Sequence, residues 1–130
     1  MGFDAFAGFR MAGHTAIVTG GAQNIGAAIA RSLAGAGARV MIADLDGDKA
    51  AATAASIAAE TGADCLGQAC DVTKTDQIEA VVAATVTAFG GLSTLVNNVG
   101  WGGRQDDPTA IPDEEFIASY RLNTISAYRM

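Results

Sequence analysis

Short apolar runs alternate along this chain with longer segments whose apolar residues recur every three or four positions. Residues 15–19 (TAIVT) form a β-rich apolar run that ends at Gly20 and Gly21, the pattern of a buried strand entering a turn. Residues 24–37 place Ile25, Ile29, Leu33 and Ala36 at spacings of three and four. This predicts a helix with one apolar stripe, stopped by Gly35 and Gly37. A second apolar run, residues 39–43 (RVMIA), closes at Asp44, and the Ala-rich residues 47–61 follow as a helix ended by Gly62. Residues 65–70 read as a third, weaker strand ending at Asp71. Residues 74–89 carry Ile78, Val82, Val86 and Phe89 on one face, a third helix closed by Gly90 and Gly91. Residues 93–97 (STLVN) are a fourth strand, and a Gly-rich loop runs from Gly100 to about Ile111. Pro112 opens a last helix with Asp113, Glu114 and Glu115 in its first turn, where the macrodipole favours acids.

Four strands in alternation with four helices predict right-handed crossovers and a parallel sheet. The expected architecture is an α/β, Rossmann-type doubly wound fold, first half only, with strand order 3-2-1-4 and flanking helices. The fourth strand, Leu95 and Val96 included, lacks the charges or Pro that guard a sheet edge. The last helix has no stop signal. Both features lead us to expect that residues 1–130 are the first part of a longer chain.

Composition narrows the class. With 130 residues, 50% hydrophobic and 17% charged, the chain has material for one packed domain. Ala fills 28 positions and Gly 16, which suits helices lying close on a sheet. Eight Lys and Arg against fourteen Asp and Glu give a net charge of −6, and the cations are scattered. That argues against nucleic acid or an anionic membrane as the main partner. It leaves a dinucleotide open, because backbone donors and a helix terminus can hold one. Cys65 and Cys70 form no CxxC and have no neighbouring His, so no metal site is expected; they read as thiols on opposite faces of a strand, both buried. His14 reads as local structure at a strand start. No apolar run reaches 18 residues, and Met1-Gly2 resembles a myristoylation start except that Phe6 stands where Ser or Thr is needed. A cytoplasmic location is the expectation.

The richest stretch for chemistry is Thr19 to Gly26, TGGAQNIG, between the first strand and the first helix. Such a turn aims free backbone N–H groups and the positive helix end at one point, a site for a diphosphate. The spacing is not GxGxxG, and no GxxxxGK[ST] occurs. Asp44 closes the second strand about 20 residues on, where an acid accepts both ribose hydroxyls of NAD and repels a 2′-phosphate. Leu45 follows it and Gln23 is not basic, so a 2′-phosphate would meet no cation at either place. NAD is therefore expected over NADP.

Together these residues resemble the short-chain dehydrogenase/reductase family. TGGAQNIG is similar to its T-G-x-x-x-G-x-G turn, with Asn24 for the middle glycine, where the resemblance implies a positive φ that Asn tolerates best among non-glycine residues. Asn97-Asn98-Val99-Gly100 resembles its N-N-A-G, and Asp71-Val72 resembles the Asp-Val pair after the third strand. Asn123 falls where the family places the Asn of its Asn-Ser-Tyr-Lys tetrad. Within the family the chain looks most like the 3-oxoacyl reductase and hydroxysteroid dehydrogenase group. The resemblance implies that Gly20, Gln23, Asn24, Ile25 and Gly26 surround the pyrophosphate. It implies that Asp44 and Leu45 flank the adenosine ribose, that Asp71 and Val72 border the adenine, and that Asn98 and Gly100 line the cofactor. Asn123 would be the one catalytic-tetrad member present, holding a water.

No YxxxK occurs in these residues, since Tyr120 is followed by Thr124 and Tyr128 by only two residues. The family's catalytic Ser, Tyr and Lys have no counterpart here; Ser119 and Ser126 are assigned to helix surface or packing. The expectation is thus a truncated NAD-binding domain over residues 1–130. Its parent would be a homo-oligomeric oxidoreductase that moves a hydride between NAD(H) and an alcohol or ketone. Substrate would enter near Gly100–Asp107, with Trp101 in the wall. The alternative is a non-catalytic dinucleotide-binding module.

Overall fold

A computed structural model describes residues 7–102 and 107–130. Residues 1–6, where the myristoylation question falls, and residues 103–106 of the proposed entrance loop lie outside them. The core is a four-stranded parallel sheet of β1 (Thr15–Thr19), β2 (Arg39–Asp44), β3 (Cys65–Ala69) and β4 (Thr94–Val96), in the order β3-β2-β1-β4. Thr15 to Thr19 pair with Arg39 to Ala43, and Ala16 to Val18 pair with Thr94 to Val96. Between the strands run α1 (Asn24–Gly35), α2 (Gly47–Thr61) and α3 (Thr75–Phe89).

Two apolar clusters cover the two faces. On one face Val18, Val40 and Ile42 pack with Ala30 and Ala34 of α1 and with Ala50, Ala54 and Ile57 of α2. On the other, Ile17, Met41 and Ala43 pack with Ile78, Val81 and Phe89 of α3. Cys65 packs onto the first cluster and Cys70 belongs to the second, so the two thiols do lie on opposite faces. Both are free, and burial raises both thiol pKa values above the ordinary range. Cys65 is only half-buried, and Cys70 lies one residue beyond β3 rather than in it.

Ile29 and Leu33 of α1 and Ile78, Val82 and Phe89 of α3 pack on these clusters as the helical stripes predict, but the stripes need correction at their other members. In α1 the buried residues are Gly26, Ala30 and Ala34, while Ile25 is 71% exposed. In α3 they are Ile78, Val81, Thr85 and Phe89, while Val86 is exposed. An Ala-rich helix offers two adjacent stripes of similar spacing, and the sheet selects the one that lets backbones approach. Thr85 joins the buried stripe because its Oγ1 donates to Val81 O at 2.7 Å. Helix α1 also ends two residues early, and the chain turns at Gly37, with φ +101°. Lys74 is the N-cap of α3 rather than its first residue.

β4 is shorter than expected at three residues. Ser93, just before it, still donates from its backbone N–H to Thr15 O at 3.0 Å, while its Oγ accepts from Thr15 N at 3.1 Å and meets His14 Nδ1 at 3.2 Å, which gives His14 the local role expected of it. The last helix is broken into α4 (Asp113–Tyr120), a π-helical turn over Arg121–Ile125, and α5 (Ser126–Arg129). Pro112 is its N-cap. Among the described residues, no helix is long and apolar enough to cross a membrane.

Candidate functional site

All four strands end toward the same edge, and the candidate residues sit just beyond those ends. The turn after β1 is shaped by close approaches. A Cβ on Gly26 would lie 2.1 Å from Gly20 O and 2.6 Å from Asn98 Nδ2, so only glycine lets α1 start this near the strand. Gly20 takes φ +63° and Asn24 takes φ +50°, the one positive φ of a non-glycine residue among those described. Gln23 is the N-cap of α1 and makes no side-chain cap bond, and the first turn holds no acid. Helices α2, α3 and α4 each have an acid there. The leading N–H groups of α1 are thus left for an external anion.

Asp44 ends β2 with its carboxylate fixed by the backbone. Oδ2 accepts from Ala22 N at 3.0 Å and Oδ1 from Asp46 N at 3.2 Å. Asp71, beyond β3, accepts from both the amide and the hydroxyl of Thr73 at Oδ1, at 2.9 and 2.7 Å. The Thr73 hydroxyl, then its amide, hold the Asp71 carboxyl below the usual carboxylate range.

The strand-four residues have a double role. Asn98 Nδ2 donates to Thr19 O and Gly20 O, each at 3.1 Å. Its two side-chain N–H donors are therefore used in holding the turn, although the residue lines the cavity. Thr19 Oγ1 donates to Val96 O and accepts from Asn98 N and Val99 N.

The eleven residues assigned to the cofactor from the sequence line one cavity of about 370 Å³: Gly20, Gln23, Asn24, Ile25, Gly26, Asp44, Leu45, Asp71, Val72, Asn98 and Gly100. Cys70, Val99 and Leu122 complete it. A cavity with a hydrogen-bonded acid, an uncapped helix start and apolar walls presents the donors, acceptor and apolar surface that dinucleotide binding calls for. Its exposed Ile25 and Leu45 have apolar side chains at the rim, which accounts for the outward-facing Ile25 of α1.

Asn123 does not line this cavity. It sits in the π-helical turn and lines a smaller neighbour of about 210 Å³ with Phe116, Ser119, Tyr120 and Thr124. Its Oδ1 accepts from Trp101 N at 2.8 Å, and its Nδ2 donates to Trp101 O at 2.8 Å and to Ser119 Oγ at 3.0 Å. Ser119 is thereby more than helix surface. Trp101 is 42% exposed, with its backbone clamped by Asn123. Ser126 is buried, and its Oγ donates to Leu122 O. Among the described residues no group of three His, Cys, Asp or Glu could hold a metal.

Two contacts from α2 were not legible in the sequence. Lys49 Nζ donates to Gln23 Oε1, and Thr53 Oγ1 donates to Ala22 O at 2.8 Å. Both reach back to the turn after β1 across 26 or more residues, and no local spacing signals them.

Comparison with known proteins agrees with this geometry. The sequence model of a family described as "short chain dehydrogenase" matches residues 14–130. The chain is 46% identical over 113 residues to a 4-formylbenzenesulfonate dehydrogenase from Comamonas testosteroni, covering 87% of this chain and 44% of that protein. It is 32% identical over 121 residues to a 7alpha-hydroxysteroid dehydrogenase from Escherichia coli, covering 93% and 46%. The crystal structure of a hydroxysteroid dehydrogenase from Escherichia coli superposes with a TM-score of 0.86 at 32% identity, over 93% of this chain and 50% of that one. The chain thus spans about half the length of the relatives it matches.

Proposed function

The chain belongs to the short-chain dehydrogenase family of oxidoreductases, and from this we propose that residues 1–130 form the NAD-binding part of an enzyme that interconverts an alcohol and a ketone. The observation that carries the reading is the single cavity lined by all eleven residues assigned to the cofactor, at the carboxyl ends of the strands. Ligands of open α/β sheets bind at that edge.

In this reading each residue has a physical task. The N–H groups at the start of α1 bind the diphosphate, with Gly20 and Asn24 providing the backbone turn that exposes them. Asp44, held by two backbone amides, accepts from the hydroxyls of the adenosine ribose and sets a preference for NAD. Asp71 and Val72 border the adenine. When bound, the nicotinamide supplies a two-electron hydride carrier. Asn123 clamps Trp101 and so fixes the segment after Gly100, next to which substrate would enter. The catalytic tetrad's Tyr and Lys have no counterpart in these 130 residues, so binding without turnover is expected of this chain. The longer parent is read as a cytoplasmic homo-oligomer acting on a small molecule.

The test is calorimetric titration of the 130-residue chain with NAD+. Binding is expected, and Asp44→Ala should weaken it roughly tenfold by removing charge-assisted bonds to the ribose. A folded chain that binds no NAD+ overturns the proposal; turnover of an alcohol would overturn the claim that the chain alone is inactive.

A further inference from the structure

The rim of the cavity carries a charge that the ends of the strands do not supply. None of the residues lining the cavity is Lys or Arg. Yet Lys49, in the first turn of α2, donates from Nζ to Oε1 of Gln23, which lines the cavity beside Asp44. The ammonium is mounted on a braced segment. Asp46 accepts from Lys49 N at 3.0 Å, and one turn later Thr53 donates to Ala22 O at 2.8 Å. Ala22 in turn donates to the Asp44 carboxylate at 3.0 Å. Cation, amide and acid are thus linked around one end of the cavity, and among the described residues the Lys49 ammonium is shown bonded to the neutral acceptor Gln23 Oε1.

Resting on the reading of this cavity as a dinucleotide site, we propose that Lys49 is a specificity-determining residue. Its ammonium leaves Gln23 to pair with a phosphate on the 2′ oxygen of the adenosine ribose. A dianionic phosphate is a stronger partner for an ammonium than an amide oxygen, because both groups are then charged. The four-carbon stem of Lys lets the head group move over several ångströms without disturbing α2. Asp44 repels the same phosphate. The outcome is a graded preference, in which NAD+ binds more tightly and NADP+ is still admitted.

The experiment is calorimetric titration of the 130-residue chain with NAD+ and with NADP+ at low salt, in the wild type and in Lys49→Met and Lys49→Arg. The wild type is expected to bind both. Lys49→Met, which keeps the length and removes the charge, should weaken NADP+ roughly tenfold and NAD+ about twofold or less. Lys49→Arg should restore NADP+ binding. If the wild type binds NAD+ but not NADP+, or if Lys49→Met changes both affinities by the same factor, Lys49 has no such role and the site reading stands. If a folded wild type, checked by circular dichroism, binds neither, the site reading falls and this inference with it.

Discussion

Asn24 does the work of a glycine at the first position of α1. At φ +50° an ordinary L-residue suffers a clash of about 1–2 kcal/mol between Cβ and the carbonyl, and Asn is among the non-glycine residues most often found in this region. We expect Asn24→Gly to retain NAD+ affinity and Asn24→Val to weaken it. Val is β-branched and strongly disfavours this region. Calorimetry on the two variants checks this, and equal affinities would refute it. This backbone state was legible because the motif leaves one slot where glycine is expected and Asn stands instead. Lys49 and Thr53 were not, because their partners are fixed by how α2 lies on the sheet. The use of Asn98's side-chain donors was hidden because their partners, Thr19 O and Gly20 O, are set by how β4 pairs with β1.

Among the elements, α2 and β3 come closest together. A Cβ on Gly67 would fall 2.2 Å from the carbonyl carbon of Ala50 and 2.4 Å from the N of Ala51, all rigid backbone. Gly67→Ala should push α2 away from the sheet and lower stability by about 1–3 kcal/mol, measurable by urea denaturation. Because Lys49 and Thr53 ride on α2, that variant should also loosen their hold on the turn. The order and kind of the elements could be read from periodicity, since short apolar runs alternate with longer one-sided stripes, most of them bounded by Gly or Asp. The buried face of a helix could not always be read. Ile25 and Val86 belong to apolar stripes, yet the sheet takes in the smaller neighbours Gly26, Ala30 and Thr85. The π-helical turn at Asn123 left no periodic trace, because one widened turn shifts the pattern by a single residue.

For the molecule as a whole, the strand order puts β1 and β2 at the centre, with β3 and β4 outermost. The site draws on the ends of all four, so it depends on the sheet holding its register from one side to the other. β2 and β3 share five paired positions, but β1 and β4 share only three, and Leu95 of β4 is 37% exposed. A short outer strand with little cover is ordinarily the first part of a sheet to fray.

Thr19 counters that tendency. Its hydroxyl engages Val96 O and the amides of Asn98 and Val99, which lie past the last rung of the ladder. The amide protons of Asn98 and Val99 should therefore take up deuterium slowly, as though they belonged to a longer strand. Thr19→Val keeps the shape and removes the oxygen, and uptake at both should quicken at least tenfold, by analogy with the loss of a single hydrogen bond. One buried oxygen would then act as a rivet: the floor of the cavity stays shut while the margin of the sheet breathes.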